Sequence, residues 1–258
     1  MAIKGLVLDL DGTVVIGSRL VEGGAEAISA IRNVGLKVAF LTNNSTYSVR
    51  HVYWKLNSLG VECRLDEVIT SSHATAKYLL ENYGQVRAYV VGEAGLFEEL
   101  VRSGHLVVGA AESEVVVVGL DRYVTYSKLA DACQAIARGA EFVATNRDRY
   151  LPLESGMVPG AGSIVAFIEA ATNRTPTVVG KPNVEMLERS LRRMGLKKDE
   201  VVVVGDNPET DAEMSFRAGV KCVIVGRHPD PLWVQRGVRF ARSLSDAVEP
   251  LVKGHSGD

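Results

Sequence analysis

Two aspartates separated by one residue follow an apolar stretch near the start of the chain. Residues 3–8 predict a buried strand, and Asp9, Asp11 and Gly12 come directly after it. Because residues i and i+2 of an extended chain share a side, both carboxylates can reach one small volume, and Gly12 permits a sharp turn there. Burying unpaired carboxylates is costly, so the pair indicates a functional site. A solvated junction between strand and loop is the structural alternative.

Three other predicted strands also end in polar residues. Thr42 and Asn43 follow the apolar run 38–41, Lys181 follows 177–180, and Asp206 follows 201–205. In an open parallel sheet, ligands bind beyond the carboxyl ends of the strands. Each of these sequences alone is more typical of a turn or a helix cap. Their occurrence at successive strand ends favours one shared site.

The charges expected at this edge indicate which chemistry it could perform. The acidic residues predicted to meet there are Asp9, Asp11, Asp206 and Asp211. Two like charges about 4 Å apart repel by roughly 4 kcal/mol at an effective dielectric near 20, so the cluster needs cations. Oxygen ligands suit Mg²⁺, whereas Zn²⁺ is disfavoured because no His or Cys belongs to the set. Lys181 adds a fixed positive charge, and the Thr42 hydroxyl and the N–H groups after it add donors, which together meet the needs of phosphoryl transfer.

The elements that must position these residues alternate between apolar runs and helical patterns. This alternation is typical of βαβ units and predicts the α/β class with a parallel sheet. Residues 1–83 and 177–258 predict a discontinuous Rossmann-like core, and residues 84–176 predict an inserted α/β unit. The sequence EVVVVG occurs at both 114–119 and 200–205, which we interpret as two buried parallel strands and not as a repeat. Asp121, after the first copy, is interpreted as a surface residue of the insert.

Composition restricts the classes of function. The 258 residues carry a formal net charge of -2 with acids and bases interspersed, so a nucleic-acid partner is not expected. No uncharged stretch is long enough to span a bilayer, and Asp9 and Asp11 interrupt what would be the apolar segment of a signal peptide. The three cysteines are widely spaced and odd in number, so no disulfide framework is expected. We therefore expect a cytoplasmic protein.

The polar strand ends resemble the four motifs of the haloacid dehalogenase (HAD) superfamily. The matching stretches are DLDGT at 9–13, LTNNS at 41–45, GKP at 180–182 and GDNPETD at 205–211. Their details are similar to the NagD-like subfamily, which includes p-nitrophenyl phosphatases and phosphoglycolate phosphatases. That subfamily carries a large α/β cap between the second and third motifs, where this chain has its insert.

The resemblance implies a role for each matching residue. Asp9 would attack phosphorus and become an aspartyl phosphate, while Asp11 would protonate the leaving alcohol and then deprotonate water. The residues implied in binding the phosphoryl group are Thr42, Asn43, Asn44 and Lys181. Mg²⁺ would lie between Asp9, the Asp11 carbonyl and Asp206, with Asp211 as a ligand or as a partner of one.

The expected activity is therefore Mg²⁺-dependent hydrolysis of a small phosphorylated metabolite, with the cap closing over the site. Two alternatives stay open: a phosphotransferase or mutase that uses the same intermediate, and a non-catalytic sensor of a phosphate ligand. A sensor would not need Asp11 as an acid and base. Relatives selective for pyridoxal phosphate tend to have a His close to the Pro-Leu of the cap loop, and residues 150–153 contain none, so the resemblance argues against that substrate. The resemblance makes a homodimer through the cap possible, since relatives often dimerise in this way, and the sequence leaves the oligomeric state open.

Overall fold

The computed structural model of the protein describes residues 2–153 and 156–255. Contacts divide the chain into two compact units. The first unit holds the described residues up to Thr42, Val52–Ile69, and those from Lys181 onward. The second unit holds Asn43–His51 and Thr70–Gly180. Each unit has a parallel sheet of its own.

Strands and helices alternate along most of the described chain. The strands are β1 (Gly5–Asp9), β2 (Val15–Ile16), β3 (Arg19–Leu20), β4 (Lys37–Thr42), β5 (Val68–Thr70), β6 (Arg87–Val91), β7 (Leu106–Val107), β8 (Val115–Val118), β9 (Glu141–Ala144), β10 (Tyr150–Leu153), β11 (Gly156–Pro159), β12 (Thr177–Val178), β13 (Val201–Gly205), β14 (Lys221–Val225) and β15 (Arg239–Ala241). The α-helices are α1 (Gly24–Asn33), α2 (Val49–Ser58), α3 (Ser71–Tyr83), α4 (Ala94–Arg102), α5 (Tyr126–Ala137), α6 (Ala161–Thr172), α7 (Glu185–Met194), α8 (Glu213–Ala218), α9 (Pro231–Gln235) and α10 (Leu244–Lys253).

The larger sheet has the strand order β15-β14-β13-β1-β4-β5. β1 pairs in parallel with β13 on one side and β4 on the other, and β13, β14 and β15 continue the parallel pairing. All five residues of β1 and of β13 are buried, as expected for strands covered on both faces by helices. Helix α1 buries Ala27, Ile28 and Ile31 from its apolar face. The predicted α/β class with a parallel Rossmann-like sheet is confirmed.

The second unit contains a five-stranded sheet in the order β12-β9-β8-β6-β7, with every pair parallel. Its core forms where β8 and β9 meet helices α5 and α6. Val116, Leu129, Phe142 and Ile168 are buried together there. The insert is therefore an α/β unit with a hydrophobic core of its own, as the sequence predicts.

Strand β12 differs from its predicted place. The return to the core sheet expected at Thr177 is wrong, because Thr177 and Val178 pair with Val143 and Ala144 of β9. Val178 packs against the hydrophobic core of the second unit, which holds this two-residue strand there. Contacts also group α3 with the second unit. The limits predicted for the two domains, 1–83 with 177–258 for the core and 84–176 for the insert, are a separate matter from strand pairing and stay a prediction.

All three cysteines are unpaired, and burial raises the pKa of the Cys63 and Cys222 thiols to about 12. Among the described residues, none of the helices has both the length and the apolar character needed to cross a bilayer. The fold of the described residues thus uses neither disulfides nor a helical membrane span.

Candidate active site

Three neighbouring strands of the larger sheet end in polar residues at the same edge. Asp9 is the last residue of β1, Thr42 is the last residue of β4, and Asp206 follows Gly205 at the end of β13. Because β1 lies between the other two and all three are parallel, their carboxyl ends share one edge. The apolar runs that bury these strands thereby fix where the polar residues emerge.

Lys181 joins two of the acids at this edge. Its Nζ donates to Asp9 Oδ1 and, over 2.7 Å, to Asp211 Oδ1. The three side chains are 4%, 6% and 1% exposed, in the order Lys181, Asp9, Asp211. Charged groups this deeply buried are tolerated when they are paired and hydrogen-bonded. The lysine is thus shared between two carboxylates, and the second carboxylate leaves the cluster with an excess of negative charge.

The pKa values show the same excess. Burial raises the pKa of Asp9 well above its usual range, Lys181 opposes this rise, and the carboxylates of Asp211 and Asp206 add to it. Burial would lower the pKa of Lys181, but Asp211 and Asp9 outweigh it, so the pKa is raised and the ammonium stays charged. The pKa of Asp206 rises to about 6, mainly through burial and then through repulsion by Asp211. An additional cation would relieve this repulsion.

The acidic trio of Asp9, Asp206 and Asp211 has the geometry of a cation site. One carboxylate oxygen from each of them lies within 4.8 Å of the other two. All the donors are oxygens, which suits a hard divalent cation such as Mg²⁺. The Asp11 side chain is not part of the trio, because Asp11 is exposed and its Oδ2 accepts from the Thr42 hydroxyl at 2.8 Å. The Asp11 side chain, which was predicted to join the other three carboxylates in one pocket, is therefore not part of their cluster.

Two glycines allow the backbone to approach the trio closely. Gly12 has a φ of 97°, and a Cβ at this position would lie 2.5 Å from Asp206 Oδ2. A Cβ on Gly205 would overlap Asp211 Cγ. The sequence marks Gly12 through its place in a turn, but it gives no sign that Gly205 must also lack a side chain.

Comparison with known proteins identifies the family. A family model described as haloacid dehalogenase-like hydrolase matches residues 6–105, and a second HAD-like hydrolase model matches residues 178–247. The chain is 34% identical over 246 residues to the 5′-nucleotidase YutF of Bacillus subtilis, covering 95% of this chain and 92% of that protein. This chain belongs to the haloacid dehalogenase-like hydrolases. It is also 35% identical over 247 residues to the acid sugar phosphatase of Staphylococcus epidermidis, covering 96% of this chain and 92% of that protein.

Solved structures of HAD phosphatases share the fold over nearly the whole chain. The p-nitrophenyl phosphatase of Archaeoglobus fulgidus superimposes with a TM-score of 0.90 at 31% identity, covering 97% of this chain and 100% of that one. The 4-nitrophenylphosphatase of Thermotoga maritima gives 0.88 at 30% identity, covering 96% and 97%. A solved structure named "putative nagD protein" superimposes with a TM-score of 0.88 at 30% identity, covering 99% of this chain and 98% of that one. The predicted NagD-like HAD relationship is confirmed, and this HAD hydrolase is a phosphoric monoester hydrolase.

In this HAD hydrolase the turn after β13 holds Asp211 in place. Residues Pro208–Ala212 form a π-helical turn, and the Asn207 side chain accepts from the N–H of Glu209. The N–H of Asn207 donates to Asp211 Oδ2 at 3.2 Å, and Ser215 Oγ donates to the Asp211 carbonyl at 2.7 Å. Since Lys181 occupies Asp211 Oδ1, each oxygen of this carboxylate already accepts a hydrogen bond.

The two asparagines after Thr42 belong to the second unit. Asn43 Nδ2 donates to Asp148 Oδ1 at 3.1 Å. Asn44 Oδ1 accepts from the N–H of Thr46 at 2.8 Å and from its hydroxyl at 2.7 Å, which stabilises the turn that leads into α2. The sequence motif identified both asparagines, but it gave no indication that Asp148 is a partner of Asn43.

Arg227 is a residue near the site that the sequence did not single out. It follows Gly226 after β14, the strand next to β13. Its Nε donates to the Asp206 carbonyl at 3.2 Å, and a terminal nitrogen lies 3.7 Å from Asp206 Oδ2. The signal was available, because a basic residue after an apolar strand next to β13 must emerge at the same edge.

Proposed function

We propose that this HAD phosphatase hydrolyses small phosphomonoesters through a phosphorylated Asp9, with Mg²⁺ bound at the acidic trio. The observation that carries the proposal is the bridge that Lys181 Nζ forms between Asp9 and Asp211, with Asp206 within reach of both acids. A buried lysine shared by two carboxylates, next to a third, is poorly explained by stability alone, since buried ion pairs contribute little net stability.

Asp9 is suited to act as the nucleophile because its carboxylate is fixed. Lys181 holds Oδ1, and the Thr13 hydroxyl donates to Oδ2 at 3.3 Å. A carboxylate held at a strand end loses little freedom when it attacks. In the first step a bond forms between an Asp9 oxygen and phosphorus, and the phosphorus–oxygen bond to the leaving alcohol breaks. In the second step water displaces Asp9 and releases inorganic phosphate.

Asp11 supplies the proton transfers. Its carboxylate is exposed, and the Thr42 hydroxyl orients it. As a carboxylic acid it gives a proton to the leaving oxygen, and as a carboxylate it then takes one from the attacking water. Because the Asp11 side chain is exposed, it can exchange its proton with solvent between the two steps.

The acidic trio fits a magnesium ion, with Asp9 and Asp206 as the ligands we assign. When bound, Mg²⁺ supplies positive charge that offsets the repulsion between these acids and the phosphoryl oxygens. Asp211 is assigned to orient Lys181, because its own oxygens accept from Lys181 and from Asn207. Lys181 supplies the second positive charge that faces the phosphoryl oxygens.

Thr42, Asn43 and Asn44 complete the proposed phosphoryl-binding set. Thr42 is buried at the end of β4, and Asn43 follows it directly in the chain. Asn44 contributes by building the turn, since its carboxamide oxygen accepts twice from Thr46.

The proposed substrates are small phosphorylated metabolites. The relatives are named for nucleotides, sugar phosphates and p-nitrophenyl phosphate, which share only a phosphomonoester on a small alcohol. A phosphotransferase or mutase would use the same phosphorylated Asp9, but a sugar hydroxyl would replace water as the acceptor.

Phosphate release from p-nitrophenyl phosphate with Mg²⁺ tests the proposal. Wild type should turn over, EDTA should abolish turnover, and Asp9→Asn and Asp11→Asn should each lose it. A wild-type protein that binds inorganic phosphate without turnover would instead be a sensor. A phosphorylated sugar product that exceeds free phosphate, when a sugar is added, would indicate a transferase.

A further inference from the structure

The chain that follows Thr42 hydrogen-bonds to residues just beyond two strands of the second unit's sheet. In that sheet β6 lies between β7 and β8, so the chain leaves β6 towards one side and returns at β8 on the other. The crevice beyond the carboxyl ends of two such strands is where open α/β sheets bind ligands. Here Thr46 accepts from the N–H of Gly95 at 3.1 Å, and Ser45 Oγ accepts from the N–H of Leu120 at 3.1 Å. The segment Asn43–His51, called here the 43–51 segment, thus occupies that crevice.

Hydrogen bonds fix both ends of the 43–51 segment. At its start, the Asn43 carbonyl accepts from Ser71 Oγ at 2.6 Å and from Asn146 Nδ2 at 2.8 Å. Near its other end, buried Glu99 accepts from the N–H of Val49 at 2.8 Å. The backbone on which Asn43 sits therefore has little freedom, and the torsions of its side chain are what remains to be set.

Asp148 is one of the partners that fix those torsions. Its Oδ1 accepts from Asn43 Nδ2 at 3.1 Å, and a hydrogen bond to a charged acceptor is stronger than one between neutral groups. Because an amide is planar and its NH₂ carries two donors, directing one of them to Asp148 fixes the plane of the Asn43 carboxamide.

Asp148 is itself held in place. Its N–H donates to Asn146 Oδ1 at 3.1 Å, and its carbonyl accepts from the N–H of Gly162 at 2.9 Å. A Cβ on Gly160 would overlap the same carbonyl, so the backbone packs closely there. Asn146 therefore binds the Asn43 carbonyl and the Asp148 backbone at once.

We propose that Asp148 is a positioning residue that orients the Asn43 carboxamide for the phosphoryl group. The proposal rests on the role assigned to Asn43 in the proposed function. A purely structural Asp148 would tie its loop to the 43–51 segment through the same hydrogen bond, so losing it would lower stability and leave phosphate affinity of the folded protein unchanged. The two roles differ in whether phosphate binding and kcat/KM respond in addition to stability.

A double-mutant cycle of Asn43→Ala and Asp148→Ala tests the proposal, with kcat/KM for p-nitrophenyl phosphate and the dissociation constant of inorganic phosphate as readouts. Each single variant should lose about 10-fold in kcat/KM and bind phosphate more weakly, in the range expected for supporting hydrogen bonds. The double variant should match Asn43→Ala, because Asp148 acts through Asn43. Asp148→Asn retains an acceptor oxygen and should recover most of the loss.

A neighbouring ion pair provides the control. Glu169→Gln breaks the pair between Glu169 and Arg147, next to Asp148 in sequence, and should leave both readouts unchanged. Effects of the two substitutions that multiply, or wild-type behaviour of Asp148→Ala, would overturn the positioning role. Wild-type turnover by Asp9→Asn would overturn the proposed function but not the positioning role. The double-mutant cycle measured by phosphate binding does not depend on how turnover proceeds.

Discussion

The same six-residue sequence, EVVVVG, contains a central strand of each unit's sheet, β8 in one and β13 in the other, and only β13 leads to the candidate active site. In β8 and in β13 all four valines are buried, and both strands pair in parallel on both sides. Gly119 and Gly205 each leave no room for a Cβ, the first beside Ser45 and the second beside Asp211. The strands are therefore equivalent as structural elements.

The difference lies in the aspartate beyond each strand. Asp206 lies within one small volume with Asp9 and Asp211, and Lys181 donates to both Asp9 and Asp211. After β8, Asp121 has a lysine of its own: Lys128 Nζ lies 2.5 Å from its Oδ2.

Each aspartate after an identical strand thus has a distinct electrostatic setting. The Oδ1 of Asp121 accepts from the N–H of Tyr123 at 3.0 Å, so its charge is matched within its own loop. A buried strand determines where an acid emerges, and the neighbouring charges determine whether it is available for chemistry.

Replacing the two lysines should give the largest contrast. Lys181→Met leaves Asp9 and Asp211 buried without a cation, so turnover should fall by about 10³-fold and the free energy of unfolding by about 3–5 kcal/mol. Lys128→Met removes a lysine that is 27% exposed and serves one acid, so turnover should be unchanged and the loss about 1–3 kcal/mol. For each variant, phosphate release measures turnover, and urea unfolding in the presence of EDTA measures the free energy of unfolding. Equal losses in the two variants would contradict the distinction.

The two aspartates give the next largest contrast. Asp206→Asn removes a proposed magnesium ligand, so turnover should fall at least about 100-fold and half-maximal turnover should need more Mg²⁺. Asp121→Asn should retain wild-type turnover at every Mg²⁺ concentration, because Lys128 already matches its charge. A titration of turnover against Mg²⁺ compares them. Loss of Mg²⁺ response in Asp121→Asn would mean that the second strand end also matters for the metal.

Two glycines with positive φ separate strain from closeness to the trio. Gly12→Ala combines a φ of 97° with a clash against Asp206, so turnover should fall about 10- to 100-fold. Gly17 has a φ of 60° and no atom within 4 Å of a Cβ, so Gly17→Ala should cost about 1 kcal/mol of stability and no activity. If both lose activity alike, backbone strain alone would account for the effect.

The smallest expected effect is a pH dependence in the second unit. Burial would raise the pKa of Glu99, but hydrogen bonds from His73 and from the N–H of Val49 outweigh it and lower the pKa below its ordinary 4.5. Glu99 therefore stabilises the fold above pH 4.5, and this contribution is lost as the pH falls through its folded pKa. Glu99→Gln should lose less stability than wild type between pH 5 and pH 3 in urea unfolding. Parallel curves would show that Glu99 contributes nothing to the acid limb.

The sequence predicted the parts of the site that depend on strand order. Asp9, Thr42 and Asp206 follow buried apolar runs, and a parallel sheet must bring such ends to one edge. Lys181 was also predicted to lie with them. The strand that precedes it, β12, lies in the other sheet, but the chain from Lys181 onward belongs to the first unit, so Lys181 still meets Asp9.

The remaining details depend on how the helices and loops pack, which no local sequence pattern shows. Asp121 was interpreted as a surface residue, which is wrong: it is 4% exposed, and its pairing with Lys128 depends on how α5 packs. Asp148 lies 105 residues beyond Asn43, so no local pattern connects them. The dimer through the cap and the cytoplasmic location stay predictions.

The most direct test of the account is to find the phosphoryl group on the enzyme. Wild type mixed with excess p-nitrophenyl phosphate and Mg²⁺, quenched in acid during turnover and digested, should carry phosphate on the peptide that contains Asp9, as located by mass spectrometry. Asp9→Asn, treated in the same way, should carry none. Phosphate on another residue, or turnover with no phosphorylated peptide while Asp9→Asn remains active, would contradict the central role given to Asp9.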